Sequence, residues 1–233
     1  MIDWFYNEFK QIGLDFENER EVKQYDEKFK GTRNLNLEAT YISEAIELKA
    51  ESVILEIGTG TGELALRLAK QCKKVIACDI SKTMLLYANK KAENQNIENI
   101  EFVCSGFLNN KFGPEIFDAV ISQLSLHHLP DFWKSVAINN ISRSLKNGGK
   151  FYLLDSILSF DVEEYENSIS NTIQITGEKF GEKIAQEIII NLRDEYPTYD
   201  WIIEGLLKKN GFKIDNKIKY TDIMAVYISS KEK

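Results

Sequence analysis

The stretch VILEIGTGTGELALRLAK, from Val53 to Lys70, constrains the fold more than any other part of this chain. Val53, Ile54, Leu55 and Ile57 make the continuous apolar run of a strand buried on both faces, and Leu64, Ala65, Leu68 and Ala69 recur at helical spacing. Gly58, Gly60 and Gly62 therefore fall at a strand-to-helix turn, where glycine permits positive φ and lets a ligand approach the backbone. The spacing speaks against a dinucleotide: that fingerprint wants a glycine at the position of Glu63, whose charge would face a pyrophosphate. Glu56 points the same way. An acid at the end of a buried strand is costly unless a cationic or hydrogen-bonding group meets it, and an ammonium group would do so.

The following KKVIACDIS reads as a short buried strand, Val75 to Cys78, ending in Asp79, which lies 21 residues after Gly58. A carboxylate there sits beside the first strand end and can accept from ribose hydroxyls, while also suiting a helix start before Ser81. The acid, the glycine loop and this second acid together resemble the class I S-adenosylmethionine-dependent methyltransferases, with the small-molecule type as the expectation. The resemblance covers about Val53 to Ser229. It implies a doubly wound, mostly parallel α/β sheet of seven strands in the order 3-2-1-4-5-7-6 with the last strand antiparallel. It also implies S-adenosyl-L-methionine as cofactor and S-adenosyl-L-homocysteine as product. The residues it nominates for the cofactor are Glu56, Gly58, Thr59, Gly60 and Gly62 in the first loop; Asp79, Ile80 and Met84 after the second strand; Ser105, Gly106 and Phe107 after the third; and Ser122 on the fourth. One departure stands out. Many relatives end the third strand in an acid that takes the adenine amino group, whereas FVCSGF places Gly106 there, leaving Ser105 or nearby backbone for that work and Phe107 either as an adenine contact or as core.

The 233 residues fit one domain. Residues 1–50 are expected to form an N-terminal helical cap of two or three short helices beginning near Ile2, with a helix over Asn36 to Leu48 packed on the sheet. Residues 51–155 form the cofactor-binding core, with a helix from Ser81 to Glu93, strands from Ile100 to Cys104 and Ile116 to Ser122, a helix from Asp131 to Leu145 stopped at Gly148 and Gly149, and a fifth strand from Lys150 to Leu154. More than 50 residues then precede the next strand, too many for a plain crossover, so residues 156–197 are expected to be an inserted helical lid. Residues 198–233 supply a last helix from Thr198 to Asn210 and a terminal strand hairpin.

The loop SQLSLHHLPDFW after the fourth strand holds His127 and His128, the only histidines. Their first reading is as loop hydrogen-bonding groups and their second as a general base; a metal is not expected, because two adjacent histidines show no clear third ligand. Tyr6, Tyr25, Arg33, Phe160 and Tyr165 are candidates to line a cover over the acceptor. A formal net charge of −7 and the lack of an Asn/Asp-Pro-Pro-aromatic loop argue against nucleic acid as acceptor. Neither a signal peptide nor a membrane span is evident, and Cys72, Cys78 and Cys104 read as core residues, so a cytoplasmic enzyme is expected. The expected reaction is in-line methyl transfer to a small molecule. A protein or nucleic-acid methyltransferase, a non-methylating user of the same cofactor and a non-catalytic binding protein stay open beside it. The acceptor atom and the oligomeric state are not readable.

Overall fold

Alternate residues of the first strand, β1 (Val53–Ile57), feed two different helical layers, which is why the strand is apolar on both faces. Leu55 and Ile57 pack with Val120, Trp133, Ile138 and Leu207 on one side of the sheet. Ile54 packs with Val75, Ala119, Ile42 and Leu68 on the other. Ile54, Leu55 and Ile57 are each at most 1% exposed, and burying an aliphatic side chain that fully contributes about 1.5–3 kcal/mol. The computed structural model describes residues 4–10, 16–29 and 31–232. The expected start of the cap at Ile2 lies outside the described residues.

β1 pairs in parallel with β2 (Lys74–Asp79) on one side and β4 (Phe117–Gln123) on the other, with Ile57 level with Cys78 and with Ser122. β3 (Ile100–Cys104) extends the sheet beyond β2, and β5 (Leu145–Leu158) extends it beyond β4. The antiparallel β8 (Met224–Lys231) and β7 (Phe212–Thr221) complete the other edge. The order is β3-β2-β1-β4-β5-β8-β7, with the two-residue β6 (Thr198–Tyr199) pairing in parallel with the end of β5. Leaving β6 aside, this is the topology the sequence led us to expect. The direction of winding reverses between β1 and β4, and in open α/β sheets ligands bind at that point, beyond the carboxyl ends of the strands.

α1 (Glu19–Lys28) and α2 (Leu35–Ala45) form the cap, capped by Asn18 and Asn34, whose side chains accept from Arg20 N and Leu37 N. α3 (Glu63–Leu68) follows the glycine loop, and α4 (Lys82–Asn94) starts where the Ser81 hydroxyl accepts from Met84 N. α5 (Asp131–Ser144) ends before the glycines expected to stop it. Leu145 already pairs with Phe117, and residues 146–149 bulge out before pairing resumes between Ala119 and Lys150, so Gly148 (φ 74°) turns a bulge within β5. β5 also runs on to Leu158 because β8 pairs with it as far as Ser156 and β6 pairs with Ile157 and Leu158. The inserted segment is a helical hairpin, α6 (Tyr165–Phe180) and α7 (Glu182–Asp194), turned at Gly181 with φ 91°. Thr198, expected to open the last helix, lies in β6, and α8 (Asp200–Lys209) begins two residues later.

Candidate active site

The backbone of the glycine loop is bound to the end of the neighbouring strand. Gly58 N and Thr59 N both donate to Cys78 O at 2.9 Å, and Gly60 N donates to Asp79 Oδ2 at 2.8 Å. Gly58, Gly60 and Gly62 all have positive φ (79°, 53° and 76°), where a side chain is strained. They differ in surroundings. A Cβ on Gly58 would stand 2.3 Å from Ser125 Oγ, and one on Gly62 would stand 2.8 Å from the Ala88 Cβ, whereas one on Gly60 would meet open space. Gly62 therefore serves the packing of α3 against α4.

A buried acid, Glu56, and a half-buried one, Asp79, flank this loop. Glu56 is 4% exposed and accepts from the Thr59 hydroxyl at 3.0 Å. Burial pushes its carboxyl up to about 7, with the Thr59 hydroxyl and the nearby Arg33 guanidinium offsetting only part of the desolvation. Asp79 accepts from Ser81 N at 2.9 Å as well as from Gly60 N, yet burial still raises its pKa. Arg33 is engaged elsewhere, with the Glu38 carboxylate and with Gln123 Oε1 at 2.6 Å. A buried carboxylate without a full cationic partner is a ready seat for an ammonium group.

These groups open on a cavity of about 510 Å³ beyond the carboxyl ends of β1 to β4, within the range of small-molecule sites. Of the nominated residues, Glu56, Gly58, Thr59, Gly60, Asp79, Ile80, Met84, Ser105, Gly106, Phe107 and His128 line it, as do Tyr25 and Arg33 of the cap. Gly62 and Ser122 do not. Ser122 is fully buried and shares a 3.0 Å hydrogen bond with Ser125, whose hydroxyl reaches Ile57 O at 3.2 Å, so it braces the loop after β4. Phe160 packs against Tyr199 and Tyr165 is half exposed with its hydroxyl on Glu166; neither lines the cavity. Tyr6 donates to His128 O at 3.1 Å and holds the loop from behind.

Sequence reasoning missed Glu8. Its carboxylate accepts from Leu108 N at 3.0 Å and Asn109 N at 2.8 Å, lines the cavity, and is raised in pKa by burial. A Cβ on residue 106 would be 2.3 Å from Glu8 Oε2, so an acid does stand at the end of β3, delivered by the cap into space that Gly106 leaves free. Nothing local to residue 8 signals a partner 100 residues away. Beside it, the side chain of the buried Ser105 lies against the Cys78 thiol.

The two histidines part company. His127 is buried, with Nδ1 2.5 Å from Asp155 Oδ1 and Nε2 3.2 Å from Glu195 Oε2. Burial alone would lower its pKa, but the two carboxylates prevail and raise it. His128 lines the cavity, and burial beside His127 lowers its pKa. The sequence placed a candidate base at either position; here His128 is the neutral imidazole facing the cavity, and His127 is a buried ion-pair centre. Glu195, which follows α7, also approaches His128 Nδ1 at 3.5 Å. The third donor that the sequence did not reveal is therefore present, contributed from 67 residues beyond His128.

A cavity at the winding reversal, with an acid at the end of β1, another at the end of β2 and a glycine loop between them, lies where doubly wound α/β proteins bind their ligands. The family model described as a methyltransferase domain matches residues 54–149. An uncharacterized methyltransferase of Geobacillus sp. (strain WCH70) is 30% identical over 196 residues, 84% of each chain, and one of Alkaliphilus oremlandii is 29% identical over 211 residues, 90% of this chain and 88% of that one. A SAM-dependent methyltransferase from Aquifex aeolicus shares the fold, with a TM-score of 0.63 at 16% identity over 91% of this chain and 98% of its own. The chain belongs to the class I S-adenosylmethionine-dependent methyltransferases.

Proposed function

We propose that the protein transfers a methyl group from S-adenosyl-L-methionine to a small-molecule acceptor in the cytoplasm, releasing S-adenosyl-L-homocysteine. The observation that carries the acceptor class is the partial cover: Phe16, Tyr25, Phe29 and Arg33 of the N-terminal segment line the same cavity as Glu56 and Asp79, which narrows it toward a small acceptor. When bound, the cofactor supplies an electrophilic methyl carbon on a sulfonium. Glu56 meets the ammonium group and Asp79 the ribose hydroxyls. Glu8 takes the adenine amino group in place of an acid on β3, with Phe107 against the ring face. Holding the acceptor in line and excluding water lowers much of the barrier, and the cap aromatics do both. His128, neutral and facing the cavity, is the group placed to remove a proton from an acceptor that carries one.

Incubation with methyl-labelled S-adenosyl-L-methionine and a fractionated extract tests this. Label should move into low-mass products in step with S-adenosyl-L-homocysteine. Label recovered only in protein or nucleic acid would overturn the acceptor class, and cofactor consumed without label transfer would indicate a non-methylating reaction.

A further inference from the structure

We propose that His127, His128 and Glu195 form a binding site for one divalent transition-metal ion of the zinc class, oriented by Asp155. The test of this site needs no cofactor, so its failure is distinguishable from failure of the methyl-transfer reading; an ion on His128 would replace that ring's role as a base. One donor atom from each of the three residues falls within 4.8 Å of the others. Glu195 turns one oxygen to each ring, Oε2 to His127 Nε2 at 3.2 Å and Oε1 to His128 Nδ1 at 3.5 Å. Donors arranged tetrahedrally about zinc at its usual bond lengths lie roughly 3.4 Å apart, so three donors now within 4.8 Å of one another reach that spacing by turning the side chains inward. Two imidazoles and a carboxylate are a ligand set suited to zinc, and also to iron(II), that leaves coordination positions open.

The supporting groups are in place as well. Asp155 Oδ1 holds His127 Nδ1 at 2.5 Å, so the ring presents Nε2 to Glu195; a carboxylate on the far nitrogen is the usual support of a metal-bound histidine. Asp155 is itself fixed by Leu126 N and Ser156 N at 2.8 and 2.7 Å. Asn191 Nδ2 reaches Glu195 Oε2 at 2.6 Å, Tyr196 N donates to His127 O at 2.9 Å, and the Lys134 ammonium holds Tyr196 O at 2.5 Å. His127 Nε2 faces the Glu195 carboxylate across 3.2 Å, a gap that a ring proton bridges as a hydrogen bond. A proton and a metal ion are alternative occupants of that place, and binding of the metal releases the proton. His128 lines the cavity, which gives the ion its entry path.

The test uses the full chain without an affinity tag, stripped with chelator and dialysed against zinc alone, with bound metal counted by mass spectrometry and affinity measured by chelator competition. One zinc per chain should bind saturably. Glu195→Ala and His128→Ala should each weaken binding at least about 100-fold, and Asp155→Asn about 10- to 100-fold. Cobalt(II) should give visible bands of a tetrahedral nitrogen and oxygen site without sulfur charge transfer. His128→Gln, at a partly exposed ring, guards against loss of fold, which circular dichroism checks. Absence of saturable uptake, uptake that survives both Glu195→Ala and His128→Gln, or a thiolate cobalt spectrum would each overturn the site and leave a proton-held ion-pair cluster.

Discussion

The acid at the end of β1 does two opposed things. Its pKa rises from 4.5 to about 7 because the pocket strips it of water, and a rise of that size corresponds to on the order of 3 kcal/mol. The folded pKa lies above the unfolded value, so the group favours folding at low pH, and that contribution is lost as pH climbs through about 7, where the folded state must carry a buried charge. Glu56→Gln should therefore stabilise the cofactor-free protein at pH 8 and have little effect near pH 4, which melting curves across pH will show. An ammonium group reverses the preference by stabilising the carboxylate. Affinity for S-adenosyl-L-homocysteine should then fall as pH drops below 7, with a proton released on binding at pH 6, and Glu56→Gln should abolish that release; titration calorimetry in buffers of different ionisation enthalpy measures it. At the other end of the cavity Glu8→Ala should weaken the same ligand about 10- to 100-fold, as expected for one hydrogen bond to a charged acceptor. It should also erase any preference over an analogue with a carbonyl in place of the adenine amino group. Glu56 and Asp79 were legible because an acid after a buried strand is conspicuous in sequence. Glu8 and Glu195 were not, since an acid in an amphipathic or helical stretch reads as surface until the chain is folded.

Among the elements, the strand–glycine loop–helix unit was readable because three signals coincide there: a two-sided apolar run, glycines at the turn and a helical repeat after it. The length of β5 was not. Its extension through Leu158 depends on pairing with β8 and β6, which a local pattern does not carry. The glycines themselves separate into two classes that the sequence shows as one. Gly62→Ala combines a left-handed backbone with a 2.8 Å approach to Ala88 and should destabilise the fold by about 1–3 kcal/mol while leaving ligand affinity nearly unchanged. Gly60→Ala meets open space at the cavity wall, so its stability cost should be only about 1 kcal/mol, with most of its effect on binding. Denaturant unfolding and ligand titration on the two variants should show opposite rankings.

At the scale of the molecule, the N-terminal helices and the inserted helical hairpin are joined to each other and to the elements around the cavity. Lys28 on α1 reaches Glu187 on α7 at 2.5 Å, Lys91 on α4 reaches Asp26 on α1 at 2.8 Å, and Glu195 brings the end of the lid to the histidine loop. Only the cap, however, lines the cavity; α6 and α7 do not. Hydrogen exchange with S-adenosyl-L-homocysteine should accordingly show strong protection in the glycine loop and α1, weaker protection near Glu187 to Glu195, and none in α6. No described helix is long and apolar enough to cross a membrane. The central claim is that the cavity beyond β1 and β2 is the cofactor site. Calorimetric titration of the protein with S-adenosyl-L-homocysteine, wild type against Asp79→Ala, tests it directly. The account predicts one site per chain and at least about a tenfold loss of affinity in the variant, since two hydrogen bonds to a charged acceptor disappear. Absence of binding in the wild type, or an unchanged dissociation constant in the variant, would contradict it.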